Sequence, residues 1–112
     1  MARVLIIEPE PDLRLLANDA VLELGHDPVL ESNQDGDDRV DVILLAVSGG
    51  STTLASGLRR RYPGLPIIYL HTREASYKTQ AVPPAARVFK PYTLGDLQRA
   101  LNHALGADPE SR

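Results

Sequence analysis

A short apolar run that ends at Ala46 constrains this chain more than any other stretch. It reads Asp41-Val-Ile-Leu-Leu-Ala46, and a Ser-Gly-Gly sequence follows at 48–50. Such a run is typical of a strand buried on both faces at the centre of a parallel sheet. Because open α/β sheets bind ligands outside the carboxyl ends of their strands, the residue that ends this strand bears directly on function. Here that residue carries only a methyl group.

Strand and helix signals alternate along the rest of the chain. Short apolar runs predict four more strands, and apolar residues at helical spacing predict helices after the first, third and fifth strands. This alternation implies a parallel sheet with helices on both faces, joined by right-handed crossovers. The further strands are predicted at 3–8, 28–30, 66–70 and 87–89, the main helices at 11–24, 51–62 and 94–105, and a short helix at 75–81.

The first and last helices have the clearest boundary signals. Pro11 lies near the first turn of the first helix, and Gly25 lies just past its end. Thr93 and Asp96 have the spacing of a capping box at the start of the last helix. The acidic, polar segment 31–38 is predicted to be a surface loop with one helical turn at most. The residues predicted to face the core are Leu13, Leu16, Ala17, Ala20, Val21 and Leu24 in the first helix, and Leu94, Leu97, Leu101, Ala104 and Leu105 in the last.

The length and composition exclude several classes of protein. The chain of 112 residues is long enough for one domain, predicted at 1–106 with a tail at 107–112. Its formal charge of -3 provides no global basic field, which disfavours binding of DNA or RNA by this chain alone. It has no cysteine, which excludes disulfides and thiolate metal sites. The sequence contains no apolar run of roughly 18 residues and no visible signal peptide, so we expect a cytoplasmic location and no membrane contact.

The segments above resemble the receiver domains of two-component response regulators, over essentially the whole chain. The most specific signal is Lys90-Pro91-Tyr92, a Lys-Pro-aromatic sequence ahead of an amphipathic helix. The resemblance implies a flavodoxin-like, doubly wound fold with five parallel strands in the order 2-1-3-4-5, and a cis peptide between Lys90 and Pro91. The short connection after strand two leaves helix two shortened or missing. The segments that carry the resemblance are 3–8, 11–14, 41–45, 66–70 and 89–92.

The resemblance also implies a chemistry that this sequence has lost. In the family, a phosphoryl group passes from a phosphohistidine to an aspartate at the end of strand three, with the help of Mg²⁺. Ala46 occupies that position here, and the family's acidic pair after strand one corresponds to Glu8 and Pro9. Because Mg²⁺ prefers carboxylate oxygens, loss of both direct ligands predicts that no metal or other cofactor binds. The remaining Glu8 and Glu10 are interpreted as part of a solvated loop.

Three other family positions are carried over by the resemblance. The hydroxyl that ends strand four in the family corresponds to His71, and the aromatic switch residue of strand five corresponds to Arg87. Lys90, which would pair with the phosphoryl oxygens, is retained. Without the aspartate, we expect this lysine to pair with Glu8 instead.

Two functional hypotheses remain open at this stage. The first is a degenerate, non-enzymatic receiver domain that signals by contact with a partner protein or a component of a histidine-kinase pathway. Partners or a second copy would use the face that the family makes from helix four, strand five and helix five. The residues of that face in this chain are Arg87, Thr93, Gln98 and Arg99.

The second hypothesis is a small-molecule or anion-binding domain, or an enzyme that uses His71 with Glu8. The turn at 48–52 could present backbone N–H groups to an anion at the start of a helix. However, this turn lacks the Gly-x-x-x-x-Gly-Lys pattern of a phosphate-binding loop, and no Ser-His-acid arrangement is visible.

Overall fold

The computed structural model describes residues 2–30, 39–47, 53–71, 85–89 and 92–106. Within these ranges the chain forms five strands and three helices. Their order is β1 (Arg3–Ile7), α1 (Pro11–Glu23), β2 (Asp27–Leu30), β3 (Val42–Val47), α2 (Thr53–Arg61), β4 (Ile67–His71), β5 (Ala86–Phe89) and α3 (Leu94–Ala104).

The strands form a single parallel sheet in the order β2-β1-β3-β4-β5. This confirms the predicted α/β class and the flavodoxin-like strand order. Each predicted strand is present, and each end of a strand lies within one residue of its predicted position. The central strand is β3, as the apolar run ending at Ala46 indicated.

Side chains from the sheet divide into two cores, one on each face. Alternate residues of a strand point to opposite faces, so a strand with apolar residues at every position is covered on both sides. On β3, Val42 and Leu44 belong to the core with α1 and α3, whereas Ile43 and Leu45 belong to the core with Leu58 of α2. All four β3 side chains are buried.

Helix α1 has the predicted boundaries but a narrower buried face. Pro11 begins it, and Gly25 follows the C-cap residue with φ of 87°, the left-handed conformation that favours glycine. Ala17 and Val21 are fully buried. The prediction that Leu16 faces the core is wrong, because this side chain is 54% exposed. Successive residues turn by 100° around a helix, so a leucine adjacent to the buried Ala17 lies at the edge of the solvent face.

Helix α3 begins at the predicted capping box. The Thr93 side chain accepts a hydrogen bond from the Asp96 backbone at 3.0 Å, and the Asp96 carboxylate accepts one from the Thr93 backbone at 3.0 Å. Leu97 and Leu101 are buried against the sheet. Leu94, predicted to join them, is 41% exposed at the first turn.

Several predictions concern residues outside the described ranges. They are the loop at 31–38 and hence helix two, the turn at 48–52, the short helix at 75–81, the Lys90–Pro91 peptide and the tail at 107–112. Among the helices that are described, none is long and apolar enough to cross a membrane.

Candidate functional site

The carboxyl ends of β1, β3, β4 and β5 lie side by side along one edge of the sheet. At this edge, Ala46 of β3 is paired with Leu70 of β4. One residue further along the strands, His71 of β4 is paired with Val47 of β3 and Phe89 of β5. On the other side of β3, Ile7 is opposite Leu45. Glu8 follows β1 directly, so its backbone continues to the level of Ala46.

Ala46, which the resemblance aligns with the family's phosphoacceptor, carries a half-buried methyl group. Ala46 has the register expected for the last residues of the central strand, between β1 and β4. Its side chain has no oxygen that could form a phosphoester or bind a cation.

The interpretation of Glu8 as part of a solvated loop is wrong, because Glu8 is a buried carboxylate within the β1–α1 connection. Its side chain is 5% exposed, and Oε2 accepts a hydrogen bond from the Glu10 backbone at 3.2 Å. Its backbone carbonyl accepts another from Nη1 of Arg14 in α1 at 3.1 Å. Burial raises the pKa of the Tyr92 hydroxyl, and the negative charge of Glu8 raises it further. The retained acid thus has structural partners in the loop and the helix that follow it.

The donor set at this edge does not fit Mg²⁺. A Mg²⁺ site needs several oxygen ligands close to octahedral geometry, usually with more than one from carboxylates or phosphates. Pro9 is exposed and has no side-chain oxygen, and Ala46 has none either. Within the part of the chain that the structure describes, no group of three His, Cys, Asp or Glu residues is arranged to hold a metal ion. Of the three positions that the resemblance assigns to the metal site, Glu8, Pro9 and Ala46, only Glu8 has a carboxylate.

His71 packs against two aromatic side chains and is not accessible to solvent. Its imidazole is fully buried, stacks on Phe89 at 5.3 Å between ring centroids, and meets the edge of Tyr69 at 5.8 Å. Burial lowers the pKa of His71, and the positive charge of Arg87 lowers it further. A buried aromatic ring therefore lies at the end of β4, at the position that the resemblance aligns with the family's hydroxyl side chain.

The fold separates Glu8 from His71. The two residues end β1 and β4, and β3 lies between those strands. Two strand spacings put their backbones about 9–10 Å apart. Glu8 is near Tyr92, which packs against the core with α1 and α3, whereas His71 contacts Tyr69 of the opposite core. An acid–base pair of these two side chains is not favoured by this arrangement.

A groove lies between the edge strand β5 and α3. It has a volume of about 480 Å³, and Arg87 and Arg99 of the predicted partner face both line it. Thr93 and Gln98 are exposed but are not among its lining residues. The other residues of the groove are Ala86, Val88, Phe89, Asp96, Ala100 and His103.

The groove combines an apolar floor with a charged rim. Phe89 is 39% exposed at its wall, an unusual setting for a large aromatic side chain. Arg99 forms an exposed ion pair of 2.6 Å with Asp96, and Arg87 is exposed on β5. The groove is therefore suited to a protein segment more than to a small, deeply enclosed ligand.

Three features of this site were not predicted from the sequence. They are the stacking of Phe89 on His71, the proximity of Tyr92 to Glu8, and the groove itself. The available signal was the pair of aromatic residues, Phe89 and Tyr92, that flank the Lys-Pro pair at 90–91. Phe89 ends β5, and Tyr92 lies just before α3 at the same sheet edge. Their partners depend on strand register, which a short run does not specify.

Sequence comparison alone does not relate the chain to known proteins. No protein-family model matches it, and no curated protein matches it by sequence.

Comparison of folds gives a clear result. The chain superimposes on a response regulator receiver domain protein from Clostridium thermocellum with a TM-score of 0.73 and 15% identity, and each chain is covered completely. A sensor protein from Polaromonas sp. JS666 matches with a TM-score of 0.79 and 21% identity, over 95% of this chain and 97% of that one. The receiver domain of a Pseudomonas aeruginosa sensor histidine kinase, which has a magnesium ion in its active-site cleft, matches with a TM-score of 0.71 and 22% identity, over 94% and 98%. The predicted resemblance to receiver domains is thus confirmed for the fold.

The strand-end geometry predicts that Ala46→Asp destabilises the domain in the absence of metal. The new carboxylate would lie one strand spacing, about 4.8 Å, from the backbone that bears Glu8, where like charges repel. We expect the free energy of unfolding to fall by roughly 1–2 kcal/mol at neutral pH. Urea unfolding in the presence of a chelator measures this change.

Ala46→Asn is the matched control, since it adds nearly the same volume without the charge. It should cost less than Ala46→Asp at neutral pH, and the two losses should converge at low pH as the aspartate is protonated. Equal losses at neutral pH would mean that Ala46 does not lie beside a charged Glu8.

Burial of His71 predicts a loss of stability in mild acid. Above the usual histidine pKa of about 6.5, the ring is neutral in both states and contributes no pH dependence. Below it, the unfolded chain takes up a proton that the folded domain does not, so the free energy of unfolding falls by up to about 1.4 kcal/mol per pH unit until the lowered folded-state pKa is reached. His71→Phe keeps a ring and removes the titration. The difference in unfolding free energy between wild type and this variant should therefore change below about pH 6.5, and a constant difference would contradict the assignment.

Proposed function

We propose that this chain is a degenerate receiver domain that signals through protein–protein contacts without becoming phosphorylated at the usual position. The single observation that carries the proposal is the Ala46 methyl group at the end of the central strand of a receiver fold. A receiver without an acceptor oxygen keeps the scaffold and its surfaces but not the phosphoryl chemistry.

The neighbouring positions support the same conclusion. Pro9 removes the second acid of the metal site, and His71 replaces a small hydroxyl with a buried ring. Arg87 replaces an aromatic switch residue with a charged side chain that reaches solvent. These changes affect the acceptor, the metal and the switch together, which is the pattern expected when a domain no longer responds to phosphorylation.

The contact surface that we propose is the β5–α3 groove with its rim. It offers an exposed ring from Phe89 beside the guanidinium of Arg87, and aromatic and arginine side chains are enriched at protein interfaces. Either a pathway component or a second copy of the chain is a suitable occupant. A symmetric dimer would use this patch twice.

An enzymatic function has less support from the site. His71 is closed to solvent and lies two strands from Glu8. The two side chains therefore do not form an acid–base pair that is open to a substrate. We therefore propose a non-enzymatic domain that acts in the cytoplasm. With a net charge of -3, it does not bind nucleic acid by itself.

The chemical part of the proposal predicts no reaction with phosphodonors. After incubation with acetyl phosphate and Mg²⁺, the intact mass of the chain should be unchanged, because Ala46 provides no acceptor oxygen.

Calorimetry should detect no Mg²⁺ binding at physiological concentrations, whereas Pro9→Asp combined with Ala46→Asp should gain affinity by providing two carboxylates. A phosphate adduct on the wild-type chain, or millimolar Mg²⁺ binding by it, would exclude the proposal.

The contact part predicts that partner recovery depends on the β5–α3 groove. Affinity capture from cells that express the chain naturally, quantified by mass spectrometry, should lose its main partner when Arg87→Glu and Arg99→Glu are combined. Arg60→Glu combined with Arg61→Glu is the matched control, since both are exposed arginines on α2, which packs against the opposite sheet face. Equal recovery by the groove variant and the control would show that this surface does not bind the partner.

A further inference from the structure

A second groove lies at the amino-terminal edge of the sheet, at the opposite end of the strands from Ala46. This amino-edge groove has a volume of about 490 Å³. It is formed by the residues just before β1, β3 and β4, by the turn between α1 and β2, and by the last turn of α3. Such a volume is sufficient for a small organic molecule. Its lining includes Ala2, His26, Asp41, Pro66, Asn102 and Leu105.

Consecutive backbone N–H groups at the start of β1 hold two of these side chains. The Ala2 N–H donates to Nδ1 of His26 at 3.0 Å, and the Arg3 N–H donates to Oδ2 of Asp41 at 2.8 Å. His26 precedes β2 and Asp41 precedes β3, so the two residues lie on either side of β1. The sheet thus positions both side chains in the absence of a ligand, and preorganised groups bind a ligand at a lower entropic cost.

Each of the two side chains keeps a polar atom for another molecule. Because Nδ1 of His26 accepts a hydrogen bond, the neutral ring carries its proton on Nε2. Nε2 is accessible, and the Asp41 side chain is exposed. Neither Nε2 nor Oδ1 of Asp41 has a hydrogen-bond partner among the residues that the structure describes. The amino-edge groove therefore offers an N–H donor on one side of β1 and a carboxylate oxygen on the other.

The electrostatic character of the groove favours a cation beside Asp41. No lysine or arginine is found among its lining residues within the described chain. Helix α3 ends at the groove, so the negative end of its dipole lies there as well. Arg3, whose backbone contacts Asp41, pairs its guanidinium with Asp27 at 3.2 Å. The charge of Asp41 is therefore not neutralised by an ion pair with any residue of the described ranges.

We propose that the amino-edge groove binds a small organic amine in which an apolar body separates the ammonium group from a hydroxyl or carbonyl oxygen. The ammonium group would donate to Asp41, and the oxygen would accept from the Nε2–H of His26. The strands that these two residues precede have backbones about 9–10 Å apart, which suits a ligand with polar groups at its two ends. The body of the ligand would contact the apolar surface of Ala2, Pro66 and Leu105.

This groove is separate from the sites described above. It lies at the opposite edge of the sheet from Ala46 and Glu8, and it shares no lining residue with the β5–α3 groove. The inference therefore does not depend on the absence of phosphorylation or on partner contacts. A failure of either would leave amine binding unaffected.

The test uses tyramine as the probe, with two matched compounds. Phenethylamine lacks the hydroxyl group, and para-hydroxyphenylpropionate has a carboxylate in place of the ammonium group. Each is titrated into the isotopically labelled whole chain, and backbone amide shifts are followed by nuclear magnetic resonance. We expect tyramine to cause saturable shifts at the amides of Ala2, Arg3 and Asp41. Phenethylamine should bind at least about threefold more weakly, since it forms one hydrogen bond fewer, and the carboxylate should cause no saturable shift there.

Two variants assign the binding to the proposed side chains. Asp41→Asn keeps an oxygen that accepts from Arg3 but removes the charge, so tyramine should bind at least about threefold more weakly, the scale of an exposed ion pair. His26→Asn keeps an acceptor near the position of Nδ1 and removes the Nε2–H, so the preference for tyramine over phenethylamine should disappear. Asp19→Asn is the matched control, because it removes the same charge from an exposed position on α1, and it should bind tyramine like wild type.

Several results would overturn the inference. They are shifts that are absent or do not saturate at the three reporter amides, equal binding of tyramine and the carboxylate, and equal effects of Asp41→Asn and Asp19→Asn. A preference for tyramine over phenethylamine that persists in His26→Asn would exclude the role of His26. The amide spectrum of each variant shows whether its fold is intact. If a groove variant does not fold, the three compounds titrated into the wild-type chain decide the inference by themselves.

Discussion

Burial of β3 on both faces is the interaction on which the rest of the structure depends. Its four apolar side chains from Val42 to Leu45 are divided between two cores, and removal of each from water contributes about 1.5–3 kcal/mol. A strand buried in this way must lie at the centre of the sheet, with helices above and below. That position also places Ala46, one residue before the end of β3, at the carboxyl edge of the sheet, so the packing that stabilises the domain also defines this edge.

Glu8 shows that an acidic side chain at this edge can serve the fold without a metal. Of the three positions that the resemblance assigns to the metal site, Glu8 alone is acidic, and Ala46 and Pro9 carry no charge. Glu8 is buried and accepts a hydrogen bond from the Glu10 backbone at the start of α1, so it stabilises the β1–α1 connection. A carboxylate at this position therefore has a structural role that requires no bound ion.

The sequence predicted most of the fold, because the fold follows from the period and length of apolar runs. Parallel strands buried on both faces give continuous runs such as that before Ala46, and the capping box at Thr93 has a fixed spacing. The positions of Glu8 and Ala46 at adjacent strand ends followed from those runs, whereas the burial of Glu8 did not. The stacking of His71 on Phe89 and the β5–α3 groove depend on the register between strands and on side-chain directions, which no local pattern specifies.

The buried and exposed sides of α1 are subject to different physical requirements. Packing on the sheet requires small or apolar residues only at inward positions such as Ala17 and Val21. Leucine is a good helix former, but lysine, glutamine and alanine serve nearly as well at an exposed site without leaving apolar area in water. Helix propensity therefore does not account for Leu15 and Leu22, and dipole complementarity does not account for Glu23. The residues on the exposed side of α1 are set by something other than packing on the sheet or local helix stability.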